Sequence, residues 1–185
     1  METKIIIGGF GGQGILFFGS ILAYTGMLEN KQVTWFPSYG AEIRGGTATC
    51  TVIVSDELIG SPIVENPDFL IAMSDASLNK FQSQIKKNGM LVFDSSLIKS
   101  PLFRTDIEVV AVPATEISSK NGNTKSANMV LLGAFIAMSR IVNKVSVFEA
   151  LERSISLGNN KSIEMNKKAI IEGIRFIENT KGTDI

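Results

Sequence analysis

Two glycine-dense loops, each placed after an apolar strand, constrain this chain more than any other feature. The run Ile5-Ile6-Ile7 enters Gly8-Gly9-Phe10-Gly11-Gly12-Gln13-Gly14, and an apolar helix follows. The next strand, Gln32–Phe36, leads into Pro37-Ser38-Tyr39-Gly40-Ala41-Glu42-Ile43-Arg44-Gly45-Gly46. Glycine lacks a Cβ, so such loops turn tightly and let backbone approach a neighbour closely. Two of them after successive strands give a sheet one edge built for close approach.

The rest of the chain repeats the alternation of strand and helix. Residues 47–54 set Thr47, Thr49 and Thr51 against Ala48, Cys50 and Val52, the two-residue period of a half-buried strand. Phe69–Met73 is a continuous apolar run suited to a central parallel strand. Ser74 or Asp75 can cap the helix that follows, with Leu78, Phe81 and Ile85 on one face and Asn88-Gly89 at its end. Met90–Phe93 and Ile107–Val112 read as further strands, with Pro113 in the first turn of a short helix. A polar loop over 120–126 precedes a strongly apolar helix, Asn128–Val142. Ser146-x-x-Glu149 has the spacing of a capping box opening a helix that ends before Gly158, and a last helix covers Ile163–Asn179 with Met165, Ala169, Ile170, Ile174 and Ile177 inward. The expected fold is α/β: a Rossmann-like, mostly parallel doubly wound sheet with a helical C-terminal region, forming one domain over residues 1–185.

Composition removes whole classes of chemistry. The 185 residues contain no histidine and one cysteine, Cys50. An iron–sulfur cluster needs about four thiolates and a zinc site several Cys or His ligands, so this chain alone holds neither. Histidine acid/base chemistry and Ser-His-Asp triads are excluded too. Lys plus Arg equals Asp plus Glu at 18 each, which disfavours a nucleic-acid partner. Charged residues are only 19% against 44% apolar; a well-buried parallel sheet and a subunit interface both account for that. Glycine and polar residues interrupt Ile15–Met27, so no membrane span is expected. Met1-Glu2-Thr3-Lys4 runs straight into a strand, no signal peptide is expected, and an unpaired cysteine suits a reducing cytoplasm.

Gly9-x-Gly11-x-x-Gly14 has the dinucleotide spacing in the required strand–turn–helix context. In that reading the glycines admit a phosphate to helix N-terminal N–H groups. A dinucleotide site also places an acidic residue at the end of the second strand. Here that position is Trp35-Phe36-Pro37-Ser38, and Glu42 lies beyond it in the next loop. A tight turn that packs strand on helix, or receives a partner's backbone, is the competing account. Gln13 can donate and accept at once, although an ordinary residue at a helix start is its default reading. Glu42 and Arg44 would project to one side of an extended segment, as an ion pair or with Arg44 as an anion anchor. Asn128 either caps its helix or reaches a ligand, and Cys50 reads as core.

Taken together, Gly9-Phe10-Gly11-Gly12-Gln13-Gly14, Ser38-Tyr39-Gly40-Ala41-Glu42-Ile43-Arg44-Gly45-Gly46-Thr47-Ala48, Ala72-Met73-Ser74 and Asn128-Met129-Val130-Leu131-Leu132-Gly133-Ala134 resemble, in order and spacing, the gamma subunit of the 2-oxoacid:ferredoxin oxidoreductases. The resemblance covers the whole chain. It implies an oxidoreductase complex, inactive as this chain alone, that converts a 2-oxoacid, coenzyme A and oxidised ferredoxin to acyl-CoA, carbon dioxide and reduced ferredoxin. Thiamin diphosphate, magnesium and the iron–sulfur clusters would sit in alpha, beta and delta partner subunits, in agreement with the missing cysteines. By carry-over, the Gly11–Gly14 turn and the Ser38–Thr47 loop would lie at the interface with those subunits and help shape the coenzyme A or substrate channel. Gly45-Gly46-Thr47-Ala48 departs from the Gly-Gly-Pro form of pyruvate enzymes, which leans the resemblance towards 2-oxoglutarate or branched-chain 2-oxoacid members.

Overall fold

The computed structural model describes residues 1–39, 47–100, 104–155 and 159–181. Six strands form one sheet: β1 (Glu2–Phe10), β2 (Gln32–Tyr39), β3 (Thr47–Ser55), β4 (Phe69–Ala72), β5 (Met90–Asp94) and β6 (Glu108–Val112). Their spatial order is β2-β3-β1-β4-β5-β6. β1, β4, β5 and β6 pair in parallel, while β3 runs antiparallel to both its neighbours. Five strands therefore share one direction, as the sequence leads one to expect, and β3 alone is reversed. The helices are α1 (Ile15–Leu28), α2 (Asp75–Phe81), α3 (Ala114–Lys120), α4 (Ala127–Ser139), α5 (Lys144–Ser154) and α6 (Asn160–Lys181). None among the described residues is long and apolar enough to cross a membrane.

The two faces of the sheet are covered unequally. Ile5, Ile7, Cys50, Val52, Ile71 and Val92 project to one face and join the main core with α1 and α4. Behind these, α6 packs on α4 and α5 on α1, so α4 has protein on all sides. This is why its sequence is apolar all round. The α4–α6 crossing is so close that a Cβ on Gly133 would strike the Ile170 carbonyl, and one on Gly173 the Val130 carbonyl. Ile6, Leu70, Leu91 and Phe93 project to the other face, where α2 supplies Leu78 and Phe81 to a second, smaller core.

Several boundaries differ from the sequence reading. α2 stops at Phe81 and passes through a short 3-10 turn, Gln82–Gln84, leaving Ile85 extended but buried. Helix cannot continue to Asn88 because other loops take those backbone donors: Lys86 N–H donates to the Pro67 carbonyl and Asn88 N–H to that of Asp106. Ser146 does not open α5. Asn143 occupies the N-cap position, its N–H held by Glu29 Oε1 at 2.6 Å, and Ser146 is the third residue of the helix. Glu149 pairs with Arg153 instead of closing a capping box. Pro113 precedes α3 at its N-cap rather than entering the first turn. α4 ends at Ser139, followed by Arg140 in the left-handed conformation at φ 53°.

Candidate functional site at the carboxyl edge of the sheet

Strand register brings the two glycine loops together. Phe10 lies opposite Thr47, and Ala48 is flanked by Gly9 on one side and Tyr39 on the other. β4 lies next to β1, with Ala72 opposite Gly8 and Met73 N–H donating to the Gly8 carbonyl. One edge of the sheet thus carries Gly9, Gly11, Gly12, Gln13, Gly14, Ser38, Tyr39, Thr47 and Ser74, with Asn128 behind Gly14. Gly40, Glu42, Arg44, Gly45 and Gly46 lie outside the described residues.

Gln13 precedes α1 and is not an ordinary helix residue. Its Oε1 accepts the Phe10 N–H at 2.6 Å and its Nε2 donates to the Met73 carbonyl at 2.9 Å. One carboxamide therefore ties the carboxyl ends of β1 and β4. α1 leaves β1 towards one face and α2 leaves β4 towards the other. That divergence is the topological switch point, where doubly wound sheets take up ligands. The Gln13 side chain occupies that crevice. Gly9 makes room for it: a Cβ there would sit 2.5 Å from Gln13 Oε1 and 2.7 Å from Ile15 Cδ1.

Gly14 and Asn128 form a second internal contact. Gly14 is the N-cap of α1 at φ 76°, and a Cβ on it would fall on the Asn128 amide nitrogen. Asn128 Nδ2 donates to the Gly14 carbonyl at 3.1 Å, and that carbonyl also accepts the Phe18 N–H. Asn128 is the second residue of α4 and does not cap it. Its Oδ1 is buried with no hydrogen-bond partner among the described residues. No side chain caps α1, and its first turn has no acidic residue, so its leading N–H groups have no intrahelical acceptor. Gly12, at φ 93°, has open space where a Cβ would be, and Gly11 beside it is exposed. This part of the turn can receive a carbonyl, carboxylate or phosphate oxygen on backbone donors.

Several polar side chains nearby are engaged in the fold itself. Ser74 is buried and forms a reciprocal capping box with Ser77 at the start of α2. Asp75 accepts the Ser100 N–H at 2.7 Å and the Lys99 N–H at 3.0 Å. The Ser100 hydroxyl and these N–H groups hold its carboxyl below the usual range. Asp94, at the end of β5, is fully buried and went unnoticed in the sequence. It accepts the Thr115 hydroxyl at 2.5 Å and the Ser96 N–H at 3.0 Å, joining β5 to the start of α3. An aspartate at a strand end, facing Pro-Ala-Thr after the next strand, was the available signal. Burial pushes the Cys50 thiol up to about 12, against the opposing contacts of Trp35 and Gly19. No group of three or more His, Cys, Asp or Glu among the described residues is arranged to hold a metal ion. Among the described residues, this edge offers backbone and shape rather than acid, base or nucleophile.

Comparison with known proteins agrees with the motif set. The family model for pyruvate ferredoxin/flavodoxin oxidoreductase matches residues 4–176. The chain is 36% identical over 183 residues to ketoisovalerate oxidoreductase subunit VorA of Methanothermobacter thermautotrophicus, covering 98% of this chain and 38% of that protein. Coverage of the Methanothermobacter marburgensis VorA is 36%, so the chain spans well under half the length of these two relatives. It is 35% identical over 164 residues to 2-oxoglutarate synthase subunit KorC of Methanocaldococcus jannaschii, covering 87% of this chain and 88% of that one. The crystal structure of a keto/oxoacid ferredoxin oxidoreductase gamma subunit from Geobacter sulfurreducens superposes with a TM-score of 0.82 at 28% identity, over 96% of this chain and 99% of that one.

Proposed function

Because this chain belongs to the pyruvate ferredoxin/flavodoxin oxidoreductase family, we propose that it is the gamma subunit of a multi-subunit 2-oxoacid:ferredoxin oxidoreductase. The complex would convert a 2-oxoacid, coenzyme A and oxidised ferredoxin to acyl-CoA, carbon dioxide and reduced ferredoxin. The carrying observation is the end-to-end match to subunits of like length, the KorC relative and the Geobacter gamma subunit. 2-Oxoglutarate and a branched-chain 2-oxoacid are the favoured substrates, in line with the names KorC and VorA. We place the complex in the cytoplasm and treat residues 1–185 as one domain.

The residues present do not fit the iron–sulfur clusters of such a complex. One cysteine cannot supply a cluster's thiolates, and Cys50 is buried with its thiol held protonated. Clusters, thiamin diphosphate and magnesium are therefore assigned to alpha, beta and delta companions, and no chemical step is assigned to this chain. Its part is to dock on those companions. The open backbone at Gly11–Gly12 and the hairpin leading to Ser38 and Thr47 would border the channel that admits coenzyme A or the 2-oxoacid. Arg44 and Glu42 belong to the same loop and are proposed as interface residues with it.

Co-expression with the neighbouring open reading frames tests this. The expected result is a stable complex that forms acyl-CoA and reduces ferredoxin with 2-oxoglutarate or 3-methyl-2-oxobutanoate. Failure to assemble, or unchanged turnover when this chain is omitted, would overturn it. A free-standing nucleotide-binding protein is the second reading, favoured by the fingerprint spacing on β1 and α1. Calorimetry of the isolated chain with NAD, NADP, FAD and coenzyme A separates the two. Tight dinucleotide binding would promote the second.

A further inference from the structure

An open sheet leaves the outer row of backbone groups on each edge strand without a ladder partner. Here the edge strands are β2 and β6. β2 contains Pro37, which has no N–H to offer an added strand. β6, Glu-Val-Val-Ala-Val, has no proline and no lysine, its one charge is Glu108 at the first position, and its register with β5 is unbroken. The devices that usually blunt an edge are missing over Val109–Val112. Glu108 N–H donates to the Gly89 carbonyl, and Ser95 N–H to the Val112 carbonyl. The direction of bonding alternates along a strand, so Glu108, Val110 and Val112 turn their backbone groups towards β5, while Val109 and Ala111 turn theirs outward. Among the described residues no hydrogen bond reaches these outward groups, and both residues are exposed. A groove of about 400 Å³ runs beside the strand, bordered by Val109, Val110, Ala111, Met138, Phe176 and Ile177.

We propose that β6 is a pairing edge for β6 of a second copy of this chain, the two strands running antiparallel across a two-fold axis at Val110. The free backbone groups select the copy as occupant. Val109 and Ala111 each offer one outward N–H and one outward C=O. With Val110 opposite its own counterpart, Val109 of one protomer faces Ala111 of its partner, and each such pair exchanges both hydrogen bonds. Every outward group of Val109 and Ala111 is then satisfied by the same groups of the copy, the self-complementarity that a two-fold interface requires. Side chains fit the same register. Val110 packs towards the main core, and residues directly opposite one another share a face, so the partner's Val110 side chain would enter the groove beside Met138 and Phe176. The chain has no net charge to hold two copies apart. β6 lies at the far end of the sheet from the β2–β3 hairpin, so this pairing leaves the glycine loops open to companion subunits. The inference stands apart from the gamma-subunit reading.

Sedimentation of the purified full chain tests it, with the parent expected to dimerise as concentration rises. Ala111→Pro removes an outward N–H and no bond to β5, a change that an edge strand tolerates. By symmetry it deletes two bonds across the axis, so the dimer dissociation constant should rise by about tenfold or more. At concentrations where the parent is monomeric, the melting temperatures of parent and variant should agree, which separates lost pairing from lost folding. Val110→Cys should give a disulfide-linked pair on mild oxidation, because facing residues at such a position have Cα atoms about 4.5 Å apart, within disulfide range. The parent, whose one cysteine is buried, should not link. The Val109 and Ala111 amides should exchange slowly in the dimer and quickly after dilution. A parent that stays monomeric, pairing that Ala111→Pro leaves unchanged, or a Val110→Cys chain that does not link overturns the proposal. So does slow exchange at Val109 and Ala111 in the monomer, which would mean that the chain covers its own edge. None of these readouts requires the companion subunits, so failure here leaves the gamma-subunit reading standing.

Discussion

Replacing Gln13 with alanine should cost the isolated chain about 2 kcal/mol. The variant loses the 2.6 Å bond from Phe10 N–H and the 2.9 Å bond to the Met73 carbonyl. Each is worth roughly 0.5–1.5 kcal/mol net, with the part-buried Met73 carbonyl at the upper end because it is left poorly solvated. For a chain of this size that lowers the melting temperature by about 4–8 °C, read by circular dichroism. Gln13→Glu should be no better than alanine, since it turns a carboxylate oxygen towards the Met73 carbonyl. The sharper measurement is a double-mutant cycle with Gly9→Ala. Alone, Gly9→Ala drives a Cβ to 2.5 Å from Gln13 Oε1, an overpacking cost of about 1–3 kcal/mol. With Gln13 already shortened, the nearest remaining obstacle is Ile15 Cδ1, the tip of a flexible side chain. The double variant should therefore be less destabilised than the sum of the singles by at least about 0.5 kcal/mol. Strict additivity, or a Gln13→Ala variant that melts within a degree of the parent, would refute the idea that this carboxamide ties β1 to β4.

Gly173→Ala should destabilise by about 3 kcal/mol, because its Cβ meets the Val130 carbonyl and two helices must separate; denaturant titration measures the loss. Cys50, its thiol pushed up to about 12 from an ordinary 9.0, should react with a disulfide reagent roughly a thousandfold more slowly in the native chain than in urea. Asp75 has its folded pKa depressed, so its contribution is present above the unfolded carboxyl value of about 3.9 and lost as pH falls through the folded one. Asp75→Asn should accordingly lower stability by a constant amount above about pH 5, and the gap to the parent should close as the medium becomes more acidic. Gly12→Ala meets no neighbour but must hold φ near 93°, so it should cost the isolated chain about 1 kcal/mol. The same substitution should weaken assembly with the companions by more than its effect on melting accounts for.

Local patterns in the sequence revealed most of the framework. The apolar run of β4 marks a central strand, and the all-apolar stretch of α4 marks a helix sandwiched between layers. The threonine alternation in β3 carried more than strand type. Thr47, Thr49 and Thr51 are half-buried on the face turned away from the main core, to which the alternate residues Ala48, Cys50 and Val52 belong. What stayed hidden depends on long-range contacts. Gln13 looks like a helix-start residue until Met73, 60 positions away, is seen beside it. Ser146 has the spacing of a cap, but Asn143 wins the position because Glu29, at the C-cap of α1, holds its N–H. The reversal of β3 is equally silent, since an alternating strand reads the same in either direction.

Four glycines of this turn divide into two pairs with different tasks. Gly9 and Gly14 face inward: the first accommodates Gln13, and the second lies against Asn128. In a dinucleotide fold the corresponding space lets pyrophosphate approach the backbone. Here a side chain of the same turn occupies it, and no carboxylate ends β2 to hold a ribose. Gly11 and Gly12 are exposed at the tip of the turn, and Gly12 has open space where a Cβ would be. A turn braced from within and bare at its tip suits a rigid contact with another molecule's surface. Filling the crevice with Gln13 and exposing the tip are therefore parts of one arrangement. The loop resists deformation because its base is tied to β4, and its backbone donors are presented in a fixed direction at the carboxyl edge.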